Sequence, residues 1–251
     1  MQNILLLISS LLFYAWGEPK FAAVMVLSIL LNWFFGLMAE RFRTKKGVLR
    51  FWLVAATVFN LGLLFIFKYL MFTLNNVNAV FGLNINVPVI NLPIGISFFT
   101  FQAFSYVLDI SRGVCEAQKN PLYAGLYVSF FPQLIAGPIV RYETIARDIK
   151  HRKENLEDFS LGVSRFIVGF LKKVLLANNM AVIAKAAFDS TEPISTGMAW
   201  LGLIAYTFQI YYDFSGYSDM AIGMGKMFGF HFLENFDYPY VSKYVSKFWR
   251  R

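Results

Sequence analysis

Charge, cysteine and histidine are scarce in this 251-residue chain. Only 15% of residues are charged, against about 25% in an ordinary soluble domain. That shortage removes the groups that keep a surface in water and excludes intrinsic disorder through charge. The single cysteine, Cys115, excludes an intrachain disulfide and any cysteine-based metal cage. Two histidines, His151 and His231, leave little room for a histidine metal site. No HExxH, CxxC, Walker-type phosphate loop or GxSxG stretch occurs, so a zinc protease, redox thiol pair, nucleotide-phosphate cradle or serine-hydrolase elbow is unsupported. No internal repeat and no low-complexity linker breaks the chain.

Apolar and aromatic residues fill the space. Hydrophobic residues make up 57% and aromatics 18% of the chain. The net charge of +8 comes from basic residues clustered in short loops beside apolar runs. That is the distribution of a protein oriented in a membrane, not of one that grips nucleic acid.

The pattern predicts an all-α, multi-spanning helical bundle. Residues 4–16 form an apolar helix too short to cross a bilayer, which needs about 20 residues. Residues 21–39 form a full span ending at Glu40 and the cations Arg41, Arg43, Lys45, Lys46 and Arg50. The 40–50 loop is therefore placed on the cytoplasmic side. Residues 51–74 return, carrying Lys68 near the far end. The uncharged stretch after them alternates over 83–90, as a short strand would. A further apolar segment runs from Leu92 to Ile110, with Asp109 near its inner end.

Residues 121–140, PLYAGLYVSFFPQLIAGPIV, are broken by Pro132 and by Gly137-Pro138. Proline removes a backbone donor and clashes with the preceding turn, so a simple kink or a re-entrant, cavity-lining piece is expected. Gln133 stands where it can satisfy the freed backbone groups. Residues 141–158 read as a hydrophilic interfacial helix containing a solvated His151. Residues 159–189 are apolar but interrupted by Arg165 and Lys172-Lys173, and a loop follows at 191–197. Two apolar pieces, 198–212 and 214–233, come next. Their glycines, Gly223, Gly225 and Gly229, suit close helix packing better than phosphate binding, because no strand precedes them.

Asp213 and Asp219 lie in YYDFSGYSDMAIG, a segment otherwise compatible with lipid. Carboxylates there face a protein interior or a water-filled cavity and mark a functional site, or else serve as interhelical glue. His231, in GFHFLENF, is the local candidate for a base.

Three stretches carry a resemblance: FFPQLIAGPIVRY at 130–142, YYDFSGYSDMAIG at 211–223 and NFDYPYVSKYVSKFWRR at 235–251. In this order they resemble the membrane-bound O-acyltransferase (MBOAT) family, and within it the alginate O-acetyltransferase branch. The resemblance implies a partial domain over residues 1–251. The family's catalytic histidines fall beyond Arg251 and an earlier helix precedes Met1, so no catalytic residue is expected in this chain and it is inactive alone. It further implies a tunnel wall built by Pro132, Gln133, Gly137, Pro138, Tyr212, Asp213, Ser215, Gly216, Tyr217, Asp219, Asn235, Pro239 and Tyr240. The implied setting is the cytoplasmic membrane, with no bound cofactor, acetyl-CoA or another acetyl thioester as donor, an extracytoplasmic polysaccharide as acceptor and a periplasmic or extracellular transfer partner. A transporter or channel with Asp213 and Asp219 as ion ligands, and an inactive membrane scaffold, are the alternatives.

Overall fold

Apolar runs with few backbone breakers can satisfy their peptide groups only as helices once water is excluded. The computed structural model, which describes residues 2–134, 137 and 140–250, is helical throughout its regular parts, and no strand occurs among those residues. The chain divides into two compact units, Met1–Ile135 with Arg141–Ile149, and Ala136–Val140 with Lys150–Arg251.

In the first unit α1 spans Gln2–Gly17 and α2 spans Pro19–Arg41, with proline at the first helical position. Helix α3 covers Lys46–Phe81. It widens by one residue per turn at Phe65–Tyr69, around Lys68, and closes on Gly82 in the left-handed conformation. The return span thus starts earlier and ends later than 51–74, and residues 83–90 form an irregular segment instead of the expected strand. Pro88 cannot donate to a ladder, and the alternating residues there have no sheet to join.

Helix α4, Ile96–Arg112, buries nine of its residues, including Thr100, Gln102 and Asp109. It is the core of its unit more than a lipid-facing span. Helices α2 and α3 are joined by reciprocal amide bonds between Asn32 and Asn60, at 3.1 and 2.8 Å, with both side chains buried. Helix α5, Pro121–Ser129, starts on an Asn120 cap and stops before Pro132. Gln102 and Gln133 both donate to the carbonyl of Tyr127, so the broken end is satisfied by side chains, as expected of Gln133.

The hydrophilic helix α6 is shorter than 141–158: it covers Tyr142–His151. Its Tyr142, Ile145 and Ile149 are buried at helical spacing and its charges face outward. It lies across one end of the unit. Gln118 donates to the Tyr142 hydroxyl at 2.8 Å, and Asn3 donates to the Ile149 carbonyl at 2.7 Å.

The second unit rests on two long helices. Asn155 caps α7, Leu156–Phe188, and Ser195 caps α8, Thr196–Met227. The charges at Arg165, Lys172 and Lys173 do not interrupt α7; it runs through them and widens at Lys172–Ala177. Likewise 198–212 and 214–233 are not two pieces. One helix of 32 residues carries Asp213 within it, because its carboxylates are matched by cations on α7. Small residues set the contact between the pair. A Cβ on Gly223 would lie 2.6 Å from the Gly162 carbonyl oxygen, and one on Gly202 would lie 2.4 Å from the Ala187 Cβ. Gly225 packs on the Phe232 ring, whereas Gly229 closes α8 at φ +75°. Beyond α8 the chain is irregular except for a single turn at Pro239–Val241 and the short α9, Val245–Phe248.

Among the described residues three helices, α2, α3 and α7, are long and apolar enough to cross a membrane.

Candidate functional site

Arg165 projects from α7 towards α8 and the segment beyond it. Its guanidinium donates to Asp219 at 2.8 and 3.2 Å and to both carboxylate oxygens of Glu234. Lys172, two turns further along α7, reaches the other oxygen of Asp219 at 2.6 Å. The three side chains of this Arg165–Asp219–Lys172 set are at most 31% exposed. A charge cluster this sheltered holds only when each ion is matched, because removing ions from water costs several kcal/mol apiece.

Around the cluster lies a cleft of 490 Å³ lined also by Tyr211, Ser215, Ser218, Phe236, Asp237 and Tyr238. The Ser215 and Ser218 hydroxyls are buried at its floor and have no protein hydrogen-bond partner among the described residues. Two cations and three carboxylates border it, so its balance is acidic. At its rim Tyr238 adopts φ +46°, a left-handed conformation rare for an aromatic residue, immediately before the buried Pro239. Strain of this kind costs about 1–3 kcal/mol and is kept where surrounding contacts enforce it.

The two acidic residues of the motif do not share this cleft. Six residues apart on one helix, they point about 120° from each other. Asp213 pairs with Lys173 and, with Ile210, Phe214 and Tyr217, lines a separate shallow apolar depression of 310 Å³. Both members of that pair are roughly two-fifths exposed. At membrane depth such a pair must meet water or further protein.

Of the wall residues expected from sequence, Ser215 and Asp219 meet in the cleft. Gly216 forms the helix contact behind it, against Gly169. Tyr212 lies outside the cleft, its ring stacked on Phe208 at 6.0 Å, and Tyr217 lines the Asp213 depression. Asn235 is half-buried; Tyr240 places its ring 5.4 Å from Tyr211. Pro132 and Gln133 belong to the first unit and Gly137, buried at a bend, to the second. Pro138 lies outside the described residues. His231 does not reach the cleft; its side chain is 58% exposed and stands 3.7 Å from Asp158. His151 is exposed at the end of α6.

Arg165, Lys172, Tyr211, Ser218, Glu234 and Tyr238 were not singled out by sequence as site residues. The readable signal was the spacing of Arg165 and Lys172, seven apart in an apolar helix and so on one face.

The motif stretch and its cleft thus fall in a segment that can be compared with known proteins. The sequence profile of "MBOAT, membrane-bound O-acyltransferase family" matches residues 118–251. The chain belongs to this family. It is a membrane protein and, in fold, an all-α MBOAT-like bundle. The probable alginate O-acetylase AlgI of Pseudomonas putida is 43% identical over 256 residues, covering 100% of this chain and 52% of that protein. The peptidoglycan O-acetyltransferase of Helicobacter pylori is 36% identical, over 98% of this chain and 52% of the relative. The teichoic acid D-alanyltransferase of Bacillus subtilis is 28% identical over 63% of this chain. The chain spans about half the length of the curated relatives it matches.

Ion pairs lock α7 to α8 and to Glu234 beyond it, and the cleft they enclose has no histidine among its described lining residues.

Proposed function

We propose that this chain is the wall-forming part of a multi-pass O-acyltransferase of the cytoplasmic membrane. The enzyme takes an acetyl group from a cytoplasmic donor, acetyl-CoA or another acetyl thioester. It delivers that group towards hydroxyls of an extracytoplasmic polysaccharide, alginate or a cell-wall polymer, with a periplasmic or extracellular protein completing the transfer. The observation that carries this reading is the 43% identity to a probable alginate O-acetylase over the whole of this chain.

Charge placement supports the orientation. The 40–50 loop and the 141–153 stretch hold the densest basic residues and face the cytoplasm under the positive-inside rule. Lys226 at the end of α8 stands 3.5 Å from Asp158 at the start of α7, so these two ends share that side. Arg165 is nine residues along α7 from Leu156, or about 14 Å. The cleft then sits in the inner half of the membrane, on the donor's side.

Transfer from a thioester to a hydroxyl requires a base to take the hydroxyl proton, donors for the developing oxyanion and a site that holds both reactants. The residues of this chain supply the last requirement. Asp219 is fixed in one place at the cleft by Arg165 and Lys172. The acidic balance of the cleft disfavours a phosphate inside it.

Deleting the gene and measuring ester-linked acetate on exported polysaccharide tests the reading. Loss of O-acetyl, restored by the intact gene, is the expected result. Unchanged acetylation of every exported polymer would refute it.

A further inference from the structure

Helix α3 begins with cations and continues as an uncovered apolar stripe on the same face. Lys46 and Arg50 stand one turn apart, and Val54, Val58, Leu61 and Phe65 follow Arg50 at intervals of three or four residues. All six are exposed, the four apolar ones between 43% and 65%. Neither cation is ion-paired among the described residues.

The turn that precedes them is held firmly. Arg43 donates to the Cys115 carbonyl at 3.3 Å and Glu40 accepts from the Ala117 amide at 2.9 Å. These bonds fasten the 41–46 turn to the 113–117 loop. Arg41 and Lys45 in this turn and Arg112 just before the loop are also exposed. Gly113 ends α4 at φ +80°, a left-handed conformation that favours glycine, where the chain turns into that loop. Lys46 and Arg50 thus form a cationic collar at the head of an apolar strip on one face of α3.

The dimensions fit one kind of occupant. From Arg50 to Leu61 the helix rises about 16 Å, close to the ~15 Å of one leaflet of a ~30 Å hydrocarbon core. The occupant must therefore carry an anionic head and a tail one leaflet long. A soluble acidic protein satisfies the collar but leaves the strip uncovered.

We infer that the Lys46/Arg50 face of α3 is a binding site for an anionic phospholipid, its phosphodiester on the collar and an acyl chain along Val54–Leu61. This rests on the membrane location of the chain and not on acyl transfer.

Native mass spectrometry of the full chain, released from mixed phosphatidylglycerol and phosphatidylcholine, provides the test. Retained phosphatidylglycerol should exceed phosphatidylcholine, and the excess should shrink as salt rises to 1 M, where the screening length is only about 3 Å. Each near-surface cation favours an anionic lipid by about fivefold. Lys46→Gln with Arg50→Gln should therefore lower phosphatidylglycerol retention about tenfold or more. Lys46→Arg with Arg50→Lys should keep it, and so should Lys243→Gln with Lys247→Gln. Val54→Ser with Val58→Ser should weaken retention of the lipid, and inorganic phosphate should not compete.

Equal retention of the two lipids by the wild type would overturn the inference without reference to any variant. So would displacement by inorganic phosphate with no effect of the serine variants, which assigns the site to free phosphate. Dimer masses replacing lipid adducts would assign the strip to a second copy. Preferential binding of an acidic polypeptide over phosphatidylglycerol vesicles would assign the collar to a protein.

Discussion

Gly169 and Gly216 meet backbone to backbone. A Cβ on Gly169 would sit 2.5 Å from the Gly216 carbonyl oxygen, and one on Gly216 would sit 2.7 Å from the Gly169 oxygen. No flexible side chain intervenes, so neither helix can yield without moving the other. Overpacking of this kind costs about 1–3 kcal/mol. Gly169→Ala and Gly216→Ala are each expected to lower the melting temperature of the purified protein by several degrees. Gly197→Ala, with nothing within 4 Å of the added carbon, is expected to leave it unchanged. Equal melting of all three would mean that α7 and α8 are not in close contact.

The Lys173–Asp213 pair leads to a comparison of single and double replacements. Removing one partner strands a charge at membrane depth, whereas removing both strands none. Asp213→Leu alone and Lys173→Met alone should each reduce stability and impair acetyl transfer in cells. Lys173→Met with Asp213→Leu should be more stable than either single variant. A thermal double-mutant cycle measures this, and additive losses would show that the two side chains do not interact.

Cys115 sits in the 113–117 loop, outside the spans. Burial, reinforced by Asp109 and Glu143 and opposed by Arg43, pushes its thiol up to about 11. The folded state therefore favours the protonated thiol. That contribution is present below the ordinary thiol range and is lost as pH rises towards 11. At pH 8 the reactive thiolate is on the order of one in a thousand. Alkylation by iodoacetamide should be slow at pH 8 and rise about tenfold per pH unit up to that value. Labelling at the rate of a free thiol would contradict the burial.

How much of this was legible in the sequence depends on range. The spans at 21–39 and 51–74, the break at Pro132 and the role of Gln133 follow from local chemistry, and the structure shows them. The clamp did not follow. Arg165, Lys172 and Lys173 read as interruptions because their partners lie between 40 and 69 residues away, and a charge matched across helices looks unmatched in a linear reading. For the same reason α8 was divided at Asp213. Asp213 and Asp219 lie six residues apart on one helix, a spacing that separates their directions. The loop at 83–90 misled through alternation, a pattern that predicts a strand only where a neighbouring strand exists.

The widened turn at Lys172–Ala177 supplies the last prediction. The buried residues of α7 are Gly162, Gly169, Ala177, Ala184 and Ala187. Seven residues separate the first two, eight the next and seven the next. The eighth is the residue that the wide turn absorbs. It keeps Gly162 and Gly169 against α8 while returning Ala184 and Ala187 to the same face, where Ala187 meets Gly202. Deleting Val174, an exposed residue of that turn, would leave a regular helix with one half rotated by about 100° and shifted by about 1.5 Å. Either the Gly169–Gly216 contact, with the alignment of Arg165 and Lys172 on Asp219, or the Ala187–Gly202 contact must then be lost. Val174→Ala, which keeps the residue count, should cost less than about 1 kcal/mol. The deletion should cost several times more while the helical signal in circular dichroism hardly changes. If both variants melt at the same temperature, the small-residue seam does not depend on the turn, and the ion pairs alone hold the two helices.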